Sequence, residues 1–246
     1  MSKVAIIGGT GLTSLQNLEI TGREIMHTPY GEPSSTLTRG NLGGNEVIFL
    51  PRHGSGHTIP PHKINYRANV WVLKEAGAEM IIAVNAIGGI QSEYQPGCLV
   101  IPDQIIDYTW ARNNTFFDEG DSPVVHVDFS WPYCEQLRRS LVLAAANAGL
   151  AIIDKGTYGA TQGPRLETAA EINKLEADGC NIVGMTGMPE AVLAKELELC
   201  YASIGVVANL AAGRHEGEIT MEEIEQHLAE GMQNVRTLLE HVIPLL

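Results

Sequence analysis

Positive charge is in short supply in this chain. Sixteen Lys and Arg stand against 29 Asp and Glu, for a net charge of −13. A nucleic-acid backbone rewards clustered Lys and Arg, so nucleic acid is excluded as the expected partner. A small anion is not excluded, because it needs only a few focused cationic groups and backbone donors. Cysteine is also sparse. Cys98, Cys134, Cys180 and Cys200 form no CxxC pair, which reads as free thiols in a reducing cytoplasm. The opening MSKVAIIGGTG is too short and too glycine-broken for a signal peptide or a membrane span, so no membrane partner is expected. No linker, repeat or low-complexity tract is present, and residues 1–246 read as one domain.

What is present is an alternation of short apolar runs and helical patterns. Residues 4–7, 46–50, 80–84, 98–101, 182–186 and 202–207 are the runs, each suited to a strand covered on both faces. Between them, 66–76, 134–148, 168–177, 189–198 and 220–242 read as helices. Thr168…Glu171 and Thr220…Glu223 are capping boxes. Met221, Ile224, Leu228, Met232, Val235, Leu239 and Val242 recur at three- and four-residue spacing, the pattern of one buried stripe. The alternation predicts an α/β fold around a central sheet. Residues 111–131 read as a long irregular loop, a common setting for function.

In open α/β sheets ligands bind beyond the strand ends, and here those ends carry polar residues and glycines. Gly8-Gly9-Thr10-Gly11 suits either a structural turn or an anion cradle with a Thr donor. Read as a dinucleotide fingerprint it places Ser14 where the third glycine belongs, and no convincing strand-end acid follows about twenty residues later. Arg52-His53 closes a strand, as a turn or as a phosphate ligand. His53, His57 and His62 lie among Gly and Pro without HExxH or clustered carboxylates, a poor metal pattern. Thr186 suits a helix N-cap, an anion donor, or both. Glu167 either complements a helix N-terminus or accepts from a substrate N–H. Asn209 either forms a turn or reads a purine edge, donating and accepting at once.

Taken together, IIGGTG, RHG…HTIPPHKINYRANVWVLKEAG, NAIGGI, TQGPRLET and GMTGMPEAVLAKELELCYASI occur in an order that resembles the trimeric nucleoside phosphorylase family. That family includes methylthioadenosine phosphorylases and low-mass purine nucleoside phosphorylases. The resemblance covers essentially the whole chain. It implies a purine/uridine phosphorylase-like α/β domain with a distorted mixed β-sheet flanked by helices, a homotrimer, and sites at subunit borders. It implies inorganic phosphate as co-substrate, with no cofactor and no metal. It assigns phosphate binding to Thr10, Arg52, His53, the Asn85-Ala86 turn and Thr186. Family members often carry Thr at the position of Asn85, which leaves the Ala86 backbone as the firmer donor there. Met185 and Leu166 would line the nucleoside site, with Met185 against the ribose.

The base pocket departs from the adenine-specific members, whose TDYD-type segment here reads Ala208-Asn209-Leu210-Ala211. Asn209 with Glu167 is the pattern of the 6-oxopurine enzymes. Asn209 would donate to the oxo group while Glu167 accepts from the ring N–H, and together they would stabilise the departing base. At the sugar end, Met221 stands where inosine and guanosine phosphorylases place His, with Ile224 one turn on. His126 matches a position that reaches the 5′ end from a neighbouring subunit. A 6-oxopurine with an apolar 5′ group describes 5′-methylthioinosine, and GMTGMPEA resembles the branch of the family acting on it. The expected activity is phosphorolysis of that nucleoside in purine salvage. The alternatives are methylthioadenosine phosphorolysis, general inosine/guanosine phosphorolysis, and a non-catalytic purine-binding module.

Overall fold

The computed structural model describes residues 3–12, 17–118, 124–217 and 219–246. Ser14 and the middle of the 111–131 loop lie outside the described residues. The strands are β1 (Val4–Gly8), β2 (Glu19–Glu24), β3 (Leu37–Leu42), β4 (Asn45–Pro51), β5 (Met80–Gly89), β6 (Leu99–Val100), β7 (Gln104–Asp107), β8 (Ile152–Ile153), β9 (Thr157–Ala160), β10 (Ile182–Gly184) and β11 (Cys200–Leu210). The helices are α1 (Tyr66–Glu75), α2 (Glu135–Asn147), α3 (Ala169–Ala177), α4 (Glu190–Glu196) and α5 (Met221–Val242).

All the strands join one mixed sheet, whose main path runs β2-β3-β4-β1-β5-β10-β9-β7. The long strand β5 holds it together. On one side β5 pairs with β11 in parallel from Met80 to Gly89. On the other side its first residues, Met80 to Ala83, pair with β1 in parallel. Gly88 and Gly89 then pair with β10 in the antiparallel sense. Residues 84–87 lie between these partners, where β1 has ended and β10 has not begun. This opening in the sheet is a strand-end crevice of the kind that binds ligands in α/β proteins.

The central strands are covered on both faces, as their composition predicts. Ala5, Ile7, Ile81 and Ala83 point into a core shared with Val70 and Leu73 of α1 and Ala191 and Leu193 of α4. Their alternates Val4, Ile6, Ile82 and Val84 join Leu137 and Leu141 of α2 and the stripe of α5. Both capping boxes are formed. The buried stripe of α5 begins at Ile224; Met221 is 63% exposed and lies outside it.

Several expectations are corrected. Residues 85–89 continue β5 instead of turning, because β11 extends alongside them. The strand expected over 182–186 ends at Gly184. Thr186 does not cap α4; Pro189 occupies that position, and the Thr186 hydroxyl is engaged elsewhere. Cys134 and Cys200 are joined by a disulfide, so only Cys98 and Cys180 are free. The Cys134 N–H donates to Tyr201 O at 2.8 Å, which brings the start of α2 against the start of β11. Two cysteines 66 residues apart meet only through that packing, and no local spacing signals it. With two of the four thiols joined, the cysteines do not mark a reducing compartment.

Candidate functional site

A cleft of about 250 Å³ opens at the gap beside β5. Most of the residues singled out above come together on its wall: Thr10, Arg52, His53, Ala86, Leu166, Glu167, Met185, Thr186, Asn209, Ala211, Met221 and Ile224, with His57 from the excluded metal pattern. Asn85 and His126 are not on it. Asn85 is buried behind Thr186, and His126 is exposed on the described end of the irregular loop.

One end of the cleft is built from the ends of β1, β4 and β10. Arg52 follows β4 and is fully buried. Its backbone N–H donates to Gly8 O at 2.8 Å, which ties the ends of β4 and β1 together. Its side chain donates from Nε and NH2 to Glu190 at 2.7 and 2.8 Å, and from NH1 to Val84 O at 2.8 Å. A Cβ on Gly9 would stand 2.5 Å from Val84 O and 2.9 Å from Arg52 NH1, so this approach requires glycine. Burial works against the guanidinium charge, but the Glu190 carboxylate outweighs it and raises the Arg52 pKa above its ordinary value.

Glu190 is the functional neighbour that sequence reasoning missed. It is fully buried in the first turn of α4 and also accepts from Tyr201 Oη at 2.9 Å. A carboxylate inside the apolar stretch MPEAVLA was the available signal, since a buried Glu is rarely unpaired. Its presence means that Arg52 brings hydrogen-bond donors but little net positive charge to the cleft.

His53 is buried next to Arg52, with Nδ1 2.8 Å from Ile59 O. That contact requires a proton on Nδ1, since a carbonyl only accepts. Burial, then the neighbouring Arg52 charge, pushes its pKa down to about 4. At neutral pH His53 is uncharged, with Nε2 as an acceptor.

Glu167 and Asn209 also line the cleft, Asn209 beside Gly88, further along β5 than the Val84 carbonyl that Arg52 reaches. Glu167 accepts from Thr161 Oγ1 at 2.6 Å. Asn209 follows an irregularity in β11: Val207 pairs with Ile87, but Asn209 pairs with Gly88, leaving Ala208 as an extra residue. A β-bulge of this kind re-aims the side chain after it. The Ala208 carbonyl lies 3.1 Å from His227 Nδ1 on α5. Asn209 Nδ2 donates to Leu210 O at 2.8 Å, which leaves a second N–H and the carbonyl oxygen for other partners.

Arg112, in the irregular loop, ties the two walls together. Its guanidinium donates to Met185 O, Met188 O and Gln162 O at 2.8, 2.6 and 2.8 Å. It thus holds the loop after β10, carrying Met185 and Thr186, against the loop after β9, carrying Leu166 and Glu167.

The family model described as the phosphorylase superfamily matches residues 3–244. The chain belongs to that superfamily. As a phosphorylase-superfamily chain it is 55% identical to a probable S-methyl-5′-thioinosine phosphorylase of Pseudomonas syringae pv. tomato, over 99% of both chains. It is 47% identical to the 6-oxopurine nucleoside phosphorylase of Pyrococcus furiosus, over 100% of this chain and 94% of that one. The solved methylthioadenosine phosphorylase of Schistosoma mansoni in complex with adenine superimposes with a TM-score of 0.95 at 35% identity, covering 100% of this chain and 92% of that one. The fold is thus the mixed α/β phosphorylase fold expected from the sequence. Among the described residues no helix is long and apolar enough to cross a membrane, and no group of three or more His, Cys, Asp or Glu is placed to hold a metal.

Proposed function

We propose that this chain cleaves S-methyl-5′-thioinosine with inorganic phosphate, giving hypoxanthine and 5-methylthioribose 1-phosphate in purine salvage. The observation that carries this reading is the content of one cleft. Thr10, Arg52, His53, Ala86, Thr186, Glu167, Asn209 and Met221 all line it, with Arg52 meeting β5 at Val84 and Asn209 lying further along β5, beside Gly88. The 55% identity to a protein named for this reaction supports it.

In this reading a phosphate oxygen attacks C1′ as the C1′–N9 bond breaks. The bonding pair leaves with the purine, and the sugar passes through oxocarbenium character. Phosphate beneath the ring stabilises that cation. Glu167 and Asn209 stabilise the base as negative charge builds on it, and the base ends as neutral hypoxanthine by taking up the proton that hydrogen phosphate gives up on becoming the sugar phosphate ester. Catalysis is positioning and electrostatics, with no covalent enzyme intermediate, metal or organic cofactor. Because Arg52 arrives already paired with Glu190, phosphate is held chiefly by directed donors and not by excess positive charge.

The proposal includes a homotrimer with sites at subunit borders. Leu166 and Met221 line the cleft yet stand 42% and 63% exposed, where a neighbouring copy carrying His126 would cover them. It also includes a cytoplasmic location, which the Cys134–Cys200 disulfide does not by itself favour.

The test is phosphorolysis of S-methyl-5′-thioinosine, S-methyl-5′-thioadenosine and inosine side by side. The methylthioinosine reaction is expected to have the highest kcat/KM. A higher value for methylthioadenosine would overturn the base-pocket argument. A higher value for inosine would favour the second reading, a general 6-oxopurine phosphorylase, which the similarity to the Pyrococcus furiosus protein supports.

A further inference from the structure

Behind the cleft wall lies a buried chain of polar side chains that the proposed reaction does not yet use. Ser203 sits in the otherwise apolar run of β11 and is 2% exposed; Asn85, on β5, is 1% exposed. Ser203 Oγ donates to Asn85 Oδ1 at 2.7 Å. Asn85 Nδ2 donates to Thr186 Oγ1 at 2.7 Å. The Thr186 backbone N–H is given to Tyr158 Oη at 3.3 Å.

The direction of these bonds decides what Thr186 offers the cleft. Its hydroxyl oxygen accepts from Asn85, so its one hydrogen is free to point at the cleft. A hydroxyl has only one hydrogen to donate, and an amide turned by half a rotation would take it. With Oδ1 facing Thr186, the hydroxyl would donate backwards and present only lone pairs to an anion. Ser203 disfavours this: with the amide turned, Ser203 Oγ would accept from Nδ2, and its own buried hydrogen, whose acceptor is Asn85 Oδ1, would lose its partner.

We infer that Ser203 and Asn85 are positioning residues that fix the polarity of this chain, making the Thr186 hydroxyl a dedicated donor to phosphate. The inference rests on the reading of Thr186 as part of a phosphate site. It also gives Asn85 a function from behind the wall, where direct contact with phosphate is not available to its side chain.

The test is the KM for inorganic phosphate in phosphorolysis of S-methyl-5′-thioinosine, with Kd for inorganic phosphate by calorimetry alongside. Ser203→Ala is expected to raise both phosphate constants about tenfold, the scale of one hydrogen bond to a charged acceptor, with the nucleoside KM within about twofold of wild type. Ser203→Thr keeps the hydroxyl and is expected to restore phosphate binding. Thr186→Val is expected to weaken phosphate binding, and adding Ser203→Ala to it should cost nothing further, because the two act through one hydrogen. If Ser203→Ala does not fold, Ser203→Cys, close in volume and a weaker donor, carries the same comparison.

The inference is overturned if Ser203→Ala leaves phosphate binding unchanged while Thr186→Val weakens it, if both KM values rise together, or if the two losses add in the double variant. If Thr186→Val itself leaves phosphate binding unchanged, the phosphate-site reading of Thr186 fails, and the inference with it.

Discussion

Arg52 and Glu190, 138 residues apart in sequence, form a two-point ion pair in which neither side chain is exposed at all. Removing one partner leaves a buried charge alone. Glu190→Gln is therefore expected to destabilise the fold by about 3–5 kcal/mol, measured by urea unfolding. Replacing both, as Arg52→Met with Glu190→Leu, should recover much of that stability and yet show no phosphorolysis. An active double variant would show that phosphorolysis does not need the pair, and a Glu190→Gln variant as stable as wild type would show that the fold does not.

The His53 pKa, pushed down to about 4, makes an acid-stability prediction. Between that value and the unfolded value of about 6.5, the unfolded chain binds more protons than the fold. Stability from keeping His53 neutral is thus complete above this window and is lost as pH falls through it. The loss reaches about 3 kcal/mol at the acid end. His53→Gln should flatten the unfolding free energy between pH 6.5 and 4. An unchanged slope would show that His53 is not the group responsible.

Asn209 follows the bulge in β11 and retains one N–H for a ligand. Asn209→Asp replaces that donor with lone pairs, which would face a 6-oxo group. An unmatched buried polar group costs roughly 1–3 kcal/mol, so kcat/KM for methylthioinosine should fall about 5- to 150-fold. Methylthioadenosine should lose less. Equal losses on both nucleosides would remove Asn209 from base reading.

Met221 lines the cleft, is largely exposed and stands outside the buried stripe of α5. Met221→His is expected to raise kcat/KM for inosine relative to methylthioinosine, since a hydroxyl then gains a polar partner and a thioether loses an apolar one. Because the position is exposed, the melting temperature should move little. An unchanged ratio would place the 5′ selectivity elsewhere.

The Cys134–Cys200 bond closes a 66-residue separation. Reducing it, or making Cys134→Ser with Cys200→Ser, is expected to cost about 2–4 kcal/mol of unfolding free energy, chiefly through the unfolded chain. Equal unfolding midpoints with and without reductant would mean that the bond contributes nothing to stability.

The periodicity of the sequence was enough to determine the buried strands, the helices with their capping boxes, and the residue types waiting at strand ends. These are local properties, written in spacing and in the polarity of neighbours. The mostly exposed β2, its partner β3 and the short β7 and β9 were not legible, because their residues carry no continuous apolar run. The tertiary structure decided everything that depends on distant segments meeting. It paired Arg52 with Glu190, placed Asn85 behind Thr186 instead of in the cleft, joined Cys134 to Cys200, and moved Met221 from the core to the rim. Each of these depends on which side of β5 a partner strand covers, and a linear sequence does not state that. The gap at residues 84–87, where one partner has ended and the next has not begun, is where the cleft forms.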